Sequence, residues 1–329
     1  MASFIPTESQ AMLAPINRQS TECWKADSDR SVDYYNEWFL RFAPPSFRRA
    51  RAEAAEKVSA AFAWTDDCRK LDASTLSAHP SVLTVARQLT CPPLARDRLA
   101  GLAHVESSFL KWCEEAGEAS LPARHAKKLA AVLGVLEKML DTDIMPWLSE
   151  GASGPTAQQR NRSALVIADR LCGALSNPIL RNAQEKRQLD ALSGWLLARG
   201  YRRTSPKSHV EMQPGDFAIH LDMEGRVADD SERMVNIPVD LAVLPRSAAR
   251  ETLPILFEAK SAGDYTNVNK RRKEEAQKFA QLKRRHGEGV AFVLFLCGYF
   301  DPGYLGYEAA EGIDWVWEHR IDDLEKLGL

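Results

Sequence analysis

The stretch Leu253-Pro254-Ile255-Leu256-Phe257-Glu258-Ala259-Lys260 decides how this chain is read. An apolar run ends in a glutamate and a lysine separated by one alanine, the pattern of a buried strand whose end turns polar. Side chains on a strand alternate faces, so Glu258 and Lys260 share one face and Ala259 points into the sheet. Upstream, Pro238-Val239-Asp240 lies in a second apolar run at residues 235–244. The short connection favours neighbouring strands, which brings two carboxylates and an ammonium to one sheet edge.

Two nearby carboxylates repel unless a cation or a shared proton relieves them. An oxygen-rich site of this kind suits Mg²⁺, which keeps several waters and binds through one or two carboxylates plus substrate phosphate. Asp240 and Glu258 are then the expected metal ligands, with the carbonyl of Ala259, while Lys260 positions or helps deprotonate the attacking water. Phosphodiester hydrolysis is the reaction that fits. A plainer reading makes Glu258 and Lys260 an ordinary ion pair and lets Asp240 merely end a strand. The coincidence of the aspartate, the apolar strand and a basic helix behind it favours the catalytic one.

Outward from this stretch, residues 217–221 and 290–297 also read as strands, with a charged helix at 267–285. Residues 32–200 are rich in Ala and Leu at helical spacing. Pro44-Pro45 is expected to open a helix there and Asn177-Pro178 another, because proline suits a first turn and not an interior. The expected fold is α/β, a mixed sheet flanked by helices, with a large helical N-terminal region. The boundaries are 1–175 for that region, serving DNA embrace or dimerisation, and 176–329 for the core.

Composition narrows the function. The chain has 329 residues, is 45% hydrophobic and 27% charged, and carries a net charge of −2, which argues against a uniformly basic nucleic-acid coat. Charge is nonetheless segregated: residues 270–286 hold eight Lys or Arg against two Glu, and residues 301–329 hold eight acids against Arg320 and Lys326. A polyanion can meet only one such patch. Six scattered cysteines without CxxC pairs, and no secretory signal in the first thirty residues, lead us to expect reduced thiols in a cytoplasm. The longest uncharged apolar stretch, residues 290–300, falls well short of the ~18 residues of a membrane span.

The segment after the polar strand end offers Asn267, Asn269, Lys270, Arg271, Arg272 and Lys273 at the mouth of a helix. Amides and cations there can bond phosphate and follow a DNA backbone, or reach guanine edges. The plain alternative is a solvated helix face balanced by Glu274 and Glu275. The seven histidines lack zinc spacing, and GYFDPGYLGYE lacks a phosphate-loop pattern and does not open a clear helix. Its aromatic residues are expected to pack on the sheet.

The chain resembles the PD-(D/E)xK nucleases, and more narrowly the XamI-like type II restriction endonucleases. The resemblance rests on PVD at 238–240, FEAKSAGDYTNVNKRRKEEAQK at 257–278, FLCGYFDPGYLGYEAAEGIDWVWEHRIDD at 295–323 and RNAQEKRQL at 181–189. It implies Mg²⁺-dependent cleavage of double-stranded DNA at a short palindrome of the GTCGAC type, by a homodimer, beside a protecting DNA methyltransferase. It also makes Glu185 the match to a glutamate that related nucleases place near the metal, unless Glu185 is a solvated residue pairing with Arg181 or Lys186. Two rival readings are a repair or recombination nuclease without sequence preference and a non-catalytic DNA-binding or scaffold protein.

Overall fold

The computed structural model describes residues 14–149, 151–227, 234–249, 252–266 and 268–329, the side chains of 269–272 excepted. The described residues up to Arg41 form one compact unit with Arg181–Leu329, and Phe42–Leu180 form a second.

The first unit is built on a six-stranded mixed sheet whose strands lie in chain order: β1 (Arg202–Thr204), β2 (Asp216–Arg226), β3 (Met234–Val243), β4 (Ile255–Ala262), β5 (Phe292–Gly298) and β6 (Asp314–Trp317). β2, β3 and β4 pair antiparallel, whereas β1 pairs with β2, and β5 with both its neighbours, in parallel. Every residue of β5 is buried, as a strand covered on both faces requires. Phe292, Leu294 and Leu296 join one core with Phe279 and Leu282 of helix α8 (Val268–His286) and Tyr304 and Leu305 of α9 (Pro302–Ala310). Val293 and Phe295 join the other with Leu189, Leu192, Trp195 and Leu196 of α7 (Ala157–Ala198). Helices therefore cover both faces, and each fully buried large apolar side chain contributes about 1.5–3 kcal/mol.

β2 and β3 stay paired out to Arg226 and Met234, yet β3 meets β4 only through Leu241, Ala242 and Val243. Past Leu241 the two strands part, and β2–β3 continues as a two-stranded arm. His220 lies at the root of that arm in the left-handed region, φ 56°. Phe217 and Leu241 sit in the α7-side core, whereas Leu221 and Val239 sit in the α8-side core, so both strands change face between these positions. A left-handed residue, which histidine tolerates better than most, permits that rotation in β2.

The second unit is helical, comprising the later part of α1 (Trp24–Trp64), then α2 (Ala73–Ala78), α3 (Leu83–Ala86), α4 (Arg96–Ala103), α5 (Ser107–Glu115) and α6 (Ala126–Met139), and the first part of α7. Phe62, Leu83, Leu99, Leu110, Leu136, Ile167 and Leu171 form its own core.

Three expectations are corrected. Pro44, Pro45 and Pro178 lie inside α1 and α7 rather than opening helices; each lacks one donor, and helices of 41 and 42 residues keep enough bonds on both flanks to carry the loss. The described N-terminal residues before 42 belong with the sheet, because Asn17 Nδ2 donates to the Trp315 carbonyl at 2.8 Å and Ser28 Oγ to that of Phe300 at 2.7 Å. Finally, GYFDPGYLGYE does open a helix, α9: Asp301 caps it by accepting the Tyr304 N–H at 2.7 Å, and Pro302 occupies its first turn. Among the described residues no helix is long and apolar enough to cross a membrane.

Candidate active site

The site lies where β3 leaves β4. A strand that loses its neighbour exposes backbone donors, and Asp240 answers this by accepting the Ala259 N–H on its Oδ2 at 2.7 Å. That bond fixes the aspartate beside the strand end carrying Glu258 and Lys260. Glu258 points into the α8 side of the sheet, with Leu256 two residues before it, and its side chain is only 5% exposed. Ala259 faces the other way and packs on the α7-side core. The alternation expected along this strand is the one found.

Charge alternates through the cluster. Lys260 Nζ lies 3.0 Å from Glu258 Oε1 and 2.8 Å from Glu275 Oε1 on α8, and Lys278 Nζ, one helical turn further, reaches Glu258 Oε1 at 2.7 Å and the Pro238 carbonyl at 3.3 Å. Burial acts against the Lys260 ammonium, but the two carboxylates outweigh it and hold its pKa above the ordinary lysine value. Burial, reinforced by the Glu258 charge, pushes Asp240 up to about 6. Glu258 Oε2 is buried and has no hydrogen-bond partner among the described residues. An orphaned carboxylate oxygen next to an aspartate that resists ionisation is a donor set a divalent cation would satisfy.

Toward solvent, Asp240, His220 and Glu185 each offer a ligand atom within 4.8 Å of the others. Glu185 stands on α7 with its carboxylate 3.8 Å from His220 Nε2. Its neighbour Lys186 pairs with Asp190 instead. The helix at 181–189 thus brings Glu185 to the mouth of the cluster, while Gln188 Nε2 donates to the carbonyls of Phe295 and Lys260 at 2.9 and 3.2 Å and ties α7 to the sheet.

Asn267 lies outside the described residues, as do the side chains of Asn269, Lys270, Arg271 and Arg272, although these four are in the first turn and a half of α8. Lys273 is exposed. Glu275 does not belong to a solvated face: it is 0% exposed. It sits on the buried stripe with Val268, Phe279 and Leu282, a helical spacing legible in the sequence once an acid is allowed at an apolar position. Lys278 follows one turn later and could have been read with it. His220 carried no signal, since its place depends on a backbone turn inside β2.

Residues 66–317 match the family model of the XamI restriction endonucleases. The chain is 46% identical over 321 residues to the type II restriction enzyme SalI of Streptomyces albus G, covering 95% of this chain and 99% of that one. It is 25% identical over 193 residues to the type II restriction enzyme XamI of Xanthomonas campestris pv. amaranthicola, covering 58% and 62%. A solved structure of a Vibrio cholerae protein aligns over 87% of this chain and 56% of its own at 12% identity and a TM-score of 0.25, too slight a likeness to bear on the fold.

Proposed function

The chain belongs to the XamI restriction endonuclease family and is a type II restriction endonuclease, and from that premise we propose that it is a PD-(D/E)xK enzyme cutting both strands of a GTCGAC-type palindrome at Asp240, Glu258 and Lys260. The observation carrying this is the meeting of those three side chains at the fork of β3 and β4, with a buried Glu258 oxygen left unbonded.

Asp240 and Glu258, with the Ala259 carbonyl, would hold Mg²⁺, and Glu185 would stand as an outer carboxylate at the mouth. Bound there, the ion lowers the pKa of an attacking water and offsets charge on the phosphoryl oxygens. Lys260 has three N–H donors. Glu258 Oε1 accepts one at 3.0 Å and the Glu275 carboxylate holds the ammonium as an ion pair at 2.8 Å, which leaves donor capacity for the scissile phosphate or the attacking water. That arrangement suits an ammonium that orients and neutralises rather than a base that removes a proton. Asn267, Asn269 and the run Lys270 to Lys273 would meet the DNA backbone beside the helix N-terminus.

Cutting both strands of a palindrome needs two such centres related by two-fold symmetry, hence a homodimer. The setting is the cytoplasm, where a cognate methyltransferase protects the host's own sites. The test is to incubate plasmid DNA with the protein and Mg²⁺, map the ends, and repeat with Lys260→Ala. Discrete fragments ending within GTCGAC and absent with the variant are expected; a smear, or identical fragments from both proteins, would refute the assignment.

A further inference from the structure

The geometry points to Glu275 of α8 as a positioning residue of the cleavage reaction, one that acts by holding the Lys260 ammonium in place. This rests on the role proposed for Lys260.

The starting point is a cost. An ionised carboxylate taken fully out of water loses several kcal/mol unless it is paired, and Glu275 is 0% exposed. It occupies a position on the α8 stripe between Val268 and Phe279 where a leucine or methionine would pack without that penalty. Packing alone therefore gives no reason for an acid. The ion pair that accounts for it is with Lys260, at 2.8 Å, from a different element of the fold.

Lys260 gains two things from this. Its four-carbon stem is flexible, and Glu258, two residues away on the same strand, restrains the ammonium from one side only. A second carboxylate from α8 fixes it from another direction. The same helix restrains the partner carboxylate, since Lys278, three residues on, takes Glu258 Oε1 at 2.7 Å. One turn of α8 thus grips both members of the strand-end pair with opposite charges, a rigid support of the sort that keeps a reactive group within a fraction of an ångström of its working position.

The experiment uses the full chain and a duplex that the parent protein cleaves, and measures the single-turnover rate with Mg²⁺ separately from duplex affinity without it. Glu275→Gln keeps the shape and removes the charge; the expected result is a rate lower on the order of 10²-fold with affinity within about threefold of the parent. Glu275→Asp, which keeps the charge but draws it back by one methylene, should fall between the two. Leu282→Ala on the same buried stripe controls for loosened packing of α8, and all rates are taken below every variant's unfolding transition. A parental rate in Glu275→Gln, a loss residing in DNA affinity, or an equal rate loss in Leu282→Ala would each overturn the assignment. If Glu275→Gln does not fold, Glu275→Asp decides: a reduced rate at retained affinity supports the role and a parental rate overturns it. Lys260→Ala is run alongside, because an active Lys260→Ala refutes the catalytic reading of the lysine, whereas a parental Glu275→Gln beside an inactive Lys260→Ala refutes only the positioning role.

Discussion

The carboxylate of Asp240 accepts the backbone N–H of Ala259 at 2.7 Å where β3 stops pairing with β4. One side chain thereby completes a ladder that the diverging strands leave open and sets its own charge beside Glu258. The bond couples the fold to the chemistry proposed for Asp240, so the two consequences of losing it can be separated by choosing what replaces it.

Asp240→Ala leaves the Ala259 donor unpaired, which costs about 1–3 kcal/mol when such a group is buried. Asp240→Asn keeps an acceptor and discards the charge. Burial and Glu258 raise the Asp240 pKa to about 6, so the stability of the metal-free protein falls as pH rises from the usual carboxylate range through that value. At pH 8 without metal, thermal unfolding should therefore place Asp240→Asn at or above the parent and Asp240→Ala below Asp240→Asn, with DNA cleavage abolished in both. An alanine variant as stable as the asparagine variant would show that the bond contributes nothing.

Glu308 on α9, a buried acid coupled electrostatically to Glu275 and Lys260, offers a second pH effect. It is 1% exposed, and burial, with the Glu275 charge adding to it, pushes its pKa up to about 7. The folded state thus holds this proton more tightly than the unfolded state, and stability declines as pH rises from the ordinary glutamate range through about 7. Glu308→Gln removes that dependence. Calorimetry should find the variant more stable than the parent by on the order of 3 kcal/mol at pH 8.5, with the gap closing toward pH 4. Parallel stability curves across this range would contradict the assignment.

Much of the sheet was legible in the sequence because its central strands bury both faces: the runs at 253–260 and 290–297 contain most of β4 and most of β5. β1 and β6 were not, being three and four residues long and stabilised by a neighbour rather than by their own pattern. At the site, the alternation of Glu258, Ala259 and Lys260 follows from strand geometry alone. Glu275 and Lys278 escaped because a charged helix reads as solvated until its packing partner is known. His220 escaped because a single left-handed residue in a strand has no periodic signature.

Gly298, at the end of β5, tests how tightly that end of the site unit is packed. Its φ is 99°, and a Cβ there would come within 2.0 Å of the Ala262 carbonyl oxygen at the end of the neighbouring β4. Backbone cannot yield as a flexible side chain can, and the left-handed conformation itself costs a non-glycine residue about 1–2 kcal/mol. Gly298→Ala should lower the unfolding temperature by more than this conformational term alone would give. Gly134→Ala, where nothing lies within 4 Å of the added carbon, should leave the temperature unchanged or raised.

For the DNA contact proposed at the basic start of α8, salt separates holding the duplex from reading it. If Lys270, Arg271, Arg272 and Lys273 neutralise phosphates, replacing all four with glutamine weakens every duplex alike and makes the plot of log affinity against log salt shallower by about 0.9 for each phosphate no longer neutralised. If one of them reaches guanine O6 and N7, replacing that residue alone costs about 1–3 kcal/mol on the cognate site, spares unrelated duplexes, and changes the slope little. The exposed Lys273 stands nearest to Glu274 and the buried Glu275, at the end of the run furthest from the helix N-terminus. The expected outcome for Lys273→Gln is the backbone pattern, a uniform loss with a shallower slope. Filter binding across a salt series with cognate and scrambled duplexes checks it, and a loss confined to the cognate duplex would make Lys273 a base reader instead.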